Sequence, residues 1–210
     1  MERPCETFHM SLSRAPRRTL LAVGALSAAL ALTACSSDSN GKSGGGGDTN
    51  FVASTGGVET VAKGERKAPN KLVGETLDGK QLDVADLKGK VVVMNLWGSW
   101  CPPCRAEAPH FAKVSKELKA KGVEFVGINT RDPNKQPAIA FEKDYGITYP
   151  SLYDPAGKLI VNGFPKGSLN PAGIPSTIVL DKDGKIAGRA LMALNETRLR
   201  QLIDPLVAEK

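Results

Sequence analysis

The sequence predicts an α/β fold: a mixed central sheet flanked by helices, extended by a hairpin at its N-terminal end. An apolar, β-branched run at 91–97 is followed by an amphipathic helical pattern and by a second apolar run at 123–129. A strand, a helix and a strand within about 40 residues indicate a right-handed parallel crossover. Nearer the C-terminus, two further strand patterns flank Asp183-Gly184, a dipeptide typical of a hairpin turn.

The composition of the 210 residues is that of a globular protein of one or two domains. Apolar residues make up 41% and charged residues 24%, so a packed core is feasible. Four cysteines are too few for a disulfide scaffold. The net charge is +6, but the chain has no block of five or six basic residues and aromatics are 5%. We therefore expect no nucleic-acid binding.

The first 34 residues have the pattern of an export signal. Three arginines within 14–18 precede an apolar run at 20–32, which is too short to span a bilayer as a helix but suits a signal-peptide core. The run ends in Leu-Thr-Ala before Cys35, which resembles a bacterial lipobox. We predict a lipoprotein signal peptide at 1–34 and lipid on Cys35, which would anchor the protein to the outside of the cell membrane. A transmembrane anchor or an ordinary secretory signal is the alternative.

Residues 35–66 are predicted to be a flexible tether and residues 67–210 a folded domain. The stretch after Cys35 is rich in Gly and Ser and has little to bury. Cys5 lies in the signal and Cys35 is assigned to the lipid. Two cysteines, Cys101 and Cys104, are therefore left for chemistry.

The first half of the domain begins with the hairpin signal Asp78-Gly79 between two short extended pieces. The run at 91–97 is apolar almost throughout, so we expect a strand buried on both faces. A helix from about 103 to 121 follows, with an apolar stripe on one face, and Gly122 ends it.

The second half is predicted to contain a helix at 136–144, a strand at 176–180 and an antiparallel strand at 185–191. Asn195 is a typical N-cap for a last helix. The apolar face of that helix consists of Leu199, Leu202, Ile203 and Leu206. The order β-α-β, a crossover and β-β-α is that of a thioredoxin fold.

The chemistry is expected in the motif Trp100-Cys101-Pro102-Pro103-Cys104. Two cysteines separated by two residues, at the mouth of a buried strand and the start of a helix, are close enough to form a disulfide. The free N–H groups and the dipole of the helix N-terminus favour a thiolate. Cys101, nearer that end, is predicted to be the less covered, attacking thiolate and Cys104 the buried resolving thiol. Pro102 and Pro103 suit the first turn, where their missing N–H groups would be unpaired.

A zinc site or an inert structural disulfide would also use a cysteine pair. A zinc site needs four ligands, and after signal removal the chain offers His110 as the one histidine, so we expect no metal. An inert structural disulfide would close a very short loop and gain little entropy. Trp97 and Trp100 crowd the motif, which favours an active site. A redox-active cysteine pair needs no cofactor, and we expect none.

From about residue 68 to 206 the chain resembles the TlpA/ResA-like thioredoxin family of extracytoplasmic thiol-disulfide oxidoreductases. The resemblance is carried by VVVMNLWGSWCPPCRAEAP at 91–109 and GIPSTIVLDKDG at 173–184. It implies that Pro175 is a cis-proline beside the cysteine pair and that the Ile174 backbone there binds an extended peptide. The Gly- and Pro-rich loop at 164–173 either shapes partner choice or is a plain surface loop.

The resemblance also implies a proton-handling role at Cys104 for Glu107, which matches an acidic residue of the family; a solvated helix acid is the alternative. Asn95 stands where thioredoxin itself has a buried Asp. Since Asn does not accept a proton, Glu107 is the better titrating partner.

We expect the partners to be disulfide-containing exported proteins and a membrane electron donor. The resemblance implies a reductant that serves cytochrome c biogenesis or copper-protein assembly. The prolines between the cysteines also favour reduction, because an oxidant of the DsbA kind usually has a thiolate-stabilising His there. A disulfide oxidase or isomerase is the alternative. A copper-delivery binding protein is disfavoured, since it would have Cys-X-X-X-Cys and a distant His.

Overall fold

The computed structural model describes residues 49–209, and these fall within one structural unit. Its strands are β1 Val52–Ala53, β2 Val58–Thr60, β3 Val73–Glu75, β4 Gln81–Asp83, β5 Val91–Trp97, β6 Val123–Thr130, β7 Ser151–Asp154, β8 Ser176–Leu180 and β9 Ile186–Ala190. Its helices are α1 Pro102–Leu118, α2 Lys135–Tyr145, α3 Lys158–Asn162 and α4 Glu196–Ala208.

The main sheet has the order β1-β2-β9-β8-β5-β6-β7. β5 pairs in parallel with β6, and β6 with β7, whereas β8 and β9 are antiparallel. β3 and β4 form the predicted hairpin, which reaches the sheet through a bridge between Thr76 and Leu152. The predicted α/β fold with a mixed sheet and an N-terminal hairpin is confirmed.

The side chains of β5 alternate between two apolar layers. Val91 and Val93 pack beneath α1 and α4, whereas Met94 and Leu96 pack on the opposite face. Every residue of β5 is buried, as the unbroken apolar run predicts. The strand therefore lies at the centre of the domain, and its C-terminal end at Trp97 delivers the chain to the cysteine motif.

The ends of the helices follow the local sequence. Asn195 accepts a hydrogen bond from the Arg198 N–H and caps α4, as predicted. A short 3-10 turn continues α1 to residue 121, and Gly122 ends it in the left-handed region at φ 80°. That conformation favours glycine, which explains why the helix ends there.

The tether predicted at 35–66 is wrong in its last part. β1 and β2 pair with each other and β2 pairs with β9, so this segment extends the main sheet. Phe51, Val58 and Val61 are buried. The domain therefore begins before residue 51 and not at residue 67. Strands of two and three residues are too short to show a periodic signal, and their pairing with each other and of β2 with β9 is what defines them. The predicted signal peptide, the lipidation at Cys35 and the Gly-rich run lie outside the described residues.

Two further elements were missed. β7 has four residues and α3 has five, too short for a recognisable period. Within residues 49–209, no helix is both long enough and apolar enough to cross a membrane.

Candidate active site

Cys101 and Cys104 form a disulfide directly after the central strand, with an S–S distance of 2.09 Å and a Cα–Cα distance of 5.3 Å. Both residues are buried, at 2% and 1% exposure. The sequence predicts a more exposed Cys101, and in the disulfide form the structure does not show that difference. What distinguishes the two cysteines is their position relative to α1.

Cys101 is the N-cap residue of α1. Its Sγ accepts a hydrogen bond from the Cys104 N–H at 3.2 Å. Pro102 and Pro103 occupy the first two helical positions, as predicted. A sulfur at this position faces the positive end of the helix dipole, which stabilises negative charge. The N-cap position therefore favours a thiolate on Cys101.

A buried aspartate fixes the loop that leads into the motif. Asp132 is 1% exposed and accepts hydrogen bonds from the Ser99 N–H at 2.9 Å and the Ser99 hydroxyl at 2.5 Å. The Asn129 side-chain amide donates to the same carboxylate at 2.6 Å. The loop after β6 thus supports the loop after β5. Sequence reasoning missed Asp132, since nothing in its local pattern marks it.

Trp100 is 45% exposed and stands at the surface of the site. The guanidinium of Arg131 lies 4.9 Å from the centre of its ring. Trp97 is buried below and stacks on Phe141 of α2, with ring centres 4.4 Å apart. The two tryptophans therefore differ in position, since Trp97 belongs to the core and Trp100 is exposed at the surface.

The peptide bond between Ile174 and Pro175 is cis. Pro175 directly precedes β8, and Ser176 pairs with Leu96 near the end of the central strand. Ile174 packs against the apolar cluster that contains both cysteines. The structure therefore places the predicted cis-proline segment beside the disulfide.

The loop at 164–173 is held in place. Phe164 and Ser168 are buried. Arg189, itself 3% exposed, donates to the carbonyl oxygens of Gly167 and Ser168 and pairs with the Glu59 carboxylate. These contacts attach the loop to β2 and β9, so the loop has a fixed position next to Ile174 in the chain.

Glu107 is buried at 2% exposure, so it is not the solvated helix acid of the alternative interpretation. Its Oε1 accepts a hydrogen bond from the Asn95 amide at 2.8 Å, and its Oε2 accepts one from the Leu194 N–H at 2.9 Å. Burial raises the pKa of Glu107 to about 7, and the two hydrogen bonds oppose that rise. The residue lies three positions after Cys104, on the same side of α1.

The arrangement is that of a thioredoxin-fold thiol-disulfide oxidoreductase: a disulfide at a helix N-terminus, a cis-proline beside it and a buried carboxyl on the same helix. The Redoxin family model matches residues 62–203. The chain therefore belongs to the Redoxin family.

The relatives are enzymes of the same class. The thiol-disulfide oxidoreductase ResA of Bacillus subtilis (strain 168) is 30% identical over 158 residues, which cover 75% of this chain and 83% of the relative. A DsbF homologue from Corynebacterium diphtheriae is 38% identical with a TM-score of 0.66, over 73% of this chain and 97% of that structure. A secreted thiol-disulfide isomerase from Corynebacterium glutamicum is 32% identical with a TM-score of 0.69, over 78% and 100%. The resemblance to ResA-like enzymes is thus confirmed.

Proposed function

We propose that this protein is a membrane-anchored, extracytoplasmic reductase of disulfides in exported proteins, with Cys101 as nucleophile and Cys104 as resolving thiol. The observation that carries the proposal is the Cys101–Cys104 disulfide at the N-terminus of α1, beside the cis bond before Pro175. Apocytochromes c and copper-site proteins are the proposed substrates, and a membrane protein is the proposed electron donor.

The first step uses the reduced pair. The Cys101 thiolate attacks one sulfur of a substrate disulfide, a mixed disulfide forms, and the other substrate sulfur leaves as a thiolate that takes up a proton. The backbone of Ile174 holds the substrate as an extended strand next to Cys101. Trp100 supplies an exposed apolar surface beside the same sulfur. Pro102 and Pro103 cover the start of the helix without offering competing N–H donors.

The second step resolves the mixed disulfide. Cys104 loses its proton to Glu107 and attacks the Cys101 sulfur, which restores the intramolecular disulfide and releases the second substrate thiolate. A carboxyl with a pKa of about 7 is well matched to this proton transfer at neutral pH. The membrane donor then returns two electrons to the pair. No metal or cofactor takes part in these steps.

The residues between the cysteines favour one direction of exchange. Two prolines carry no charge and donate no hydrogen bond, so the thiolate has less stabilisation than it would beside a His. Weaker stabilisation of the reduced form makes the pair a stronger reductant. The proline pair therefore supports reduction over oxidation.

An isomerase is the second candidate, and the likeness to the secreted isomerase from Corynebacterium glutamicum favours it. An isomerase must also be kept reduced, because it starts by attack of a thiolate on a wrong disulfide. The two candidates differ in what happens to the substrate, which leaves reduced in one case and with a rearranged disulfide in the other.

Trapping in cells tests the proposal. Removal of the resolving thiol in Cys104→Ser leaves the mixed disulfide on Cys101, so exported cysteine proteins accumulate as covalent adducts. Cys101→Ser is the matched control. It lacks the attacking sulfur, so we expect it to form almost no covalent adducts. Exported proteins that are more oxidised in cells lacking the protein support a reductase. Adducts confined to Cys101→Ser, or substrates that become more reduced in its absence, would contradict the proposal.

Anchoring is tested separately through Cys35. We expect that replacing residues 1–35 with a cleavable secretory signal that has no lipobox moves the protein from the membrane fraction to the soluble fraction, while the purified domain keeps its exchange activity. Membrane retention of that variant would show that lipid on Cys35 is not the anchor.

A further inference from the structure

Two arginines lie against the segment Ser99-Trp100, and each donates a hydrogen bond to a backbone carbonyl oxygen. Arg105 donates from Nε to the Ser99 carbonyl oxygen at 2.9 Å. Arg131 lies over the Trp100 ring and donates from Nη2 to the Ala172 carbonyl oxygen at 3.3 Å. Both arginines are exposed. The edge of the active site therefore carries two positive charges, and hydrogen bonds to the backbone of the neighbouring loops fix their positions.

Among the residues that the structure describes, no carboxylate forms an ion pair with either of these two charges, unlike those of several other arginines. Arg66, Arg189 and Arg200 each form an ion pair with a carboxylate. Within residues 49–209, no ion pair is found for Arg105 or Arg131. A guanidinium has five N–H donors, and the contacts above use one on each residue. Most of the donors on both arginines are thus available to a partner.

The backbone of Arg131 is strained. Its φ is 59°, in the left-handed region that is unfavourable for residues other than glycine. The next residue, Asp132, is the one that fixes Ser99 beneath the motif. Two consecutive residues of this strained turn therefore contact the active-site loop: the Arg131 guanidinium lies over Trp100, and the Asp132 carboxylate binds Ser99.

We infer that Arg105 and Arg131 select substrates whose reactive cysteine is flanked by acidic residues. Ser99 and Trp100, which these two side chains contact, directly precede Cys101, so residues on either side of a substrate cysteine bound at Cys101 would approach both guanidinium groups. Guanidinium groups bind carboxylates through paired hydrogen bonds, and complementary charge also speeds association. This inference rests on the exchange activity, holds for either direction, and specifies the substrate class of the proposed function.

The test compares three peptides that differ in the residues on both sides of one cysteine, which are Glu, Gln or Lys. The cysteine carries 2-nitro-5-thiobenzoate, whose release by the reduced protein is followed by absorbance. We expect the second-order rate constant to fall in the order Glu, Gln, Lys. An exposed ion pair changes such a constant about two- to fivefold, so the Glu and Lys peptides differ about tenfold at low salt. The difference shrinks above about 0.1 M salt.

Charge reversal supplies the specific readout. We expect Arg131→Glu to abolish or reverse the faster reaction of the Glu peptide over the Lys peptide. The milder Arg131→Gln reduces the difference between the two rate constants. Lys121→Glu is the matched control, because it makes the same charge change beyond the far end of α1, about 25 Å from the disulfide. We expect Lys121→Glu to react faster with the Glu peptide than with the Lys peptide, as the native protein does. Should charge reversal at Arg131 impair folding, the milder Arg131→Gln decides the question, since an unchanged difference between the Glu and Lys peptides in that variant would contradict the inference.

Three results would overturn the inference: equal rates for the Glu and Lys peptides, a faster Lys peptide, or an equal loss of preference in Lys121→Glu. None of them bears on the direction of exchange. An oxidising potential would instead refute the reductase proposal and leave the charge preference intact.

Discussion

Burial of Glu107 makes the stability of this protein depend on pH. The pKa of Glu107 is about 7 in the folded protein, against about 4.3 for an exposed Glu in an unfolded chain. Between these values the folded state binds more protons than the unfolded state, so the free energy of unfolding falls as pH rises. One pKa unit corresponds to about 1.4 kcal/mol. The loss from this residue is therefore about 3 kcal/mol between pH 4 and pH 8.

Glu107→Gln removes this pH dependence, since an amide does not titrate in that range. The substitution has its own cost. The two carboxyl oxygens of Glu107 accept hydrogen bonds from Asn95 and Leu194. In Gln one of these oxygens is replaced by an amide nitrogen, which does not accept a hydrogen bond, so one of the two bonds is lost. Losing one of these costs about 1–3 kcal/mol at every pH. We expect the variant to be less stable than the native protein at pH 4, and as stable or more stable at pH 8.

Urea unfolding of the disulfide form at several pH values measures this difference. Glu142, whose pKa burial also raises to about 7, is present in both proteins, so its contribution cancels. Glu65→Gln is the control, since it removes one carboxyl from an exposed position. If native and Glu107→Gln stabilities stay a constant distance apart from pH 4 to pH 8, the assigned burial of a titrating Glu107 is refuted.

Three further predictions concern stability and are checked by urea and thermal unfolding. Gly127→Ala destabilises by about 1–3 kcal/mol, because an added Cβ would lie 2.0 Å from the Ser151 Oγ; a neutral result would show that this contact relaxes freely. Glu59→Gln leaves the buried Arg189 without its counter-charge and costs about 3–5 kcal/mol, unless the 164–173 loop releases the arginine to water. Asn195→Ala removes the cap of α4 and costs about 1 kcal/mol, whereas Asn195→Asp costs less.

The sequence is most informative where an element is long and its period strong. The unbroken apolar run of β5, the stripe of α1 and the capped α4 were all predicted with boundaries close to those observed. β1, β2 and β7 were not, because strands of two to four residues are too short for a period and are defined by their pairing with other strands. For the same reason the start of the domain was placed too late.

The same distinction holds in the active site. The positions of the cysteines follow from their local motif, whereas the cis-proline and the acidic residue on α1 were implied by the family resemblance. The hydrogen bonds of Glu107 to Asn95 and Leu194 connect residues far apart in the chain, as does the support of Ser99 by Asp132. Local patterns do not encode such contacts, so they emerge from the fold alone.

The reduction potential of the Cys101/Cys104 pair tests the central claim most directly. The protein is equilibrated in dithiol–disulfide buffers of known potential, the free thiols are alkylated, and the oxidised fraction is measured. We predict a value nearer to that of thioredoxin, about −270 mV, than to that of DsbA, about −120 mV. A value close to −120 mV would contradict the reductase proposal, because a pair that oxidising could not reduce the disulfides of exported proteins.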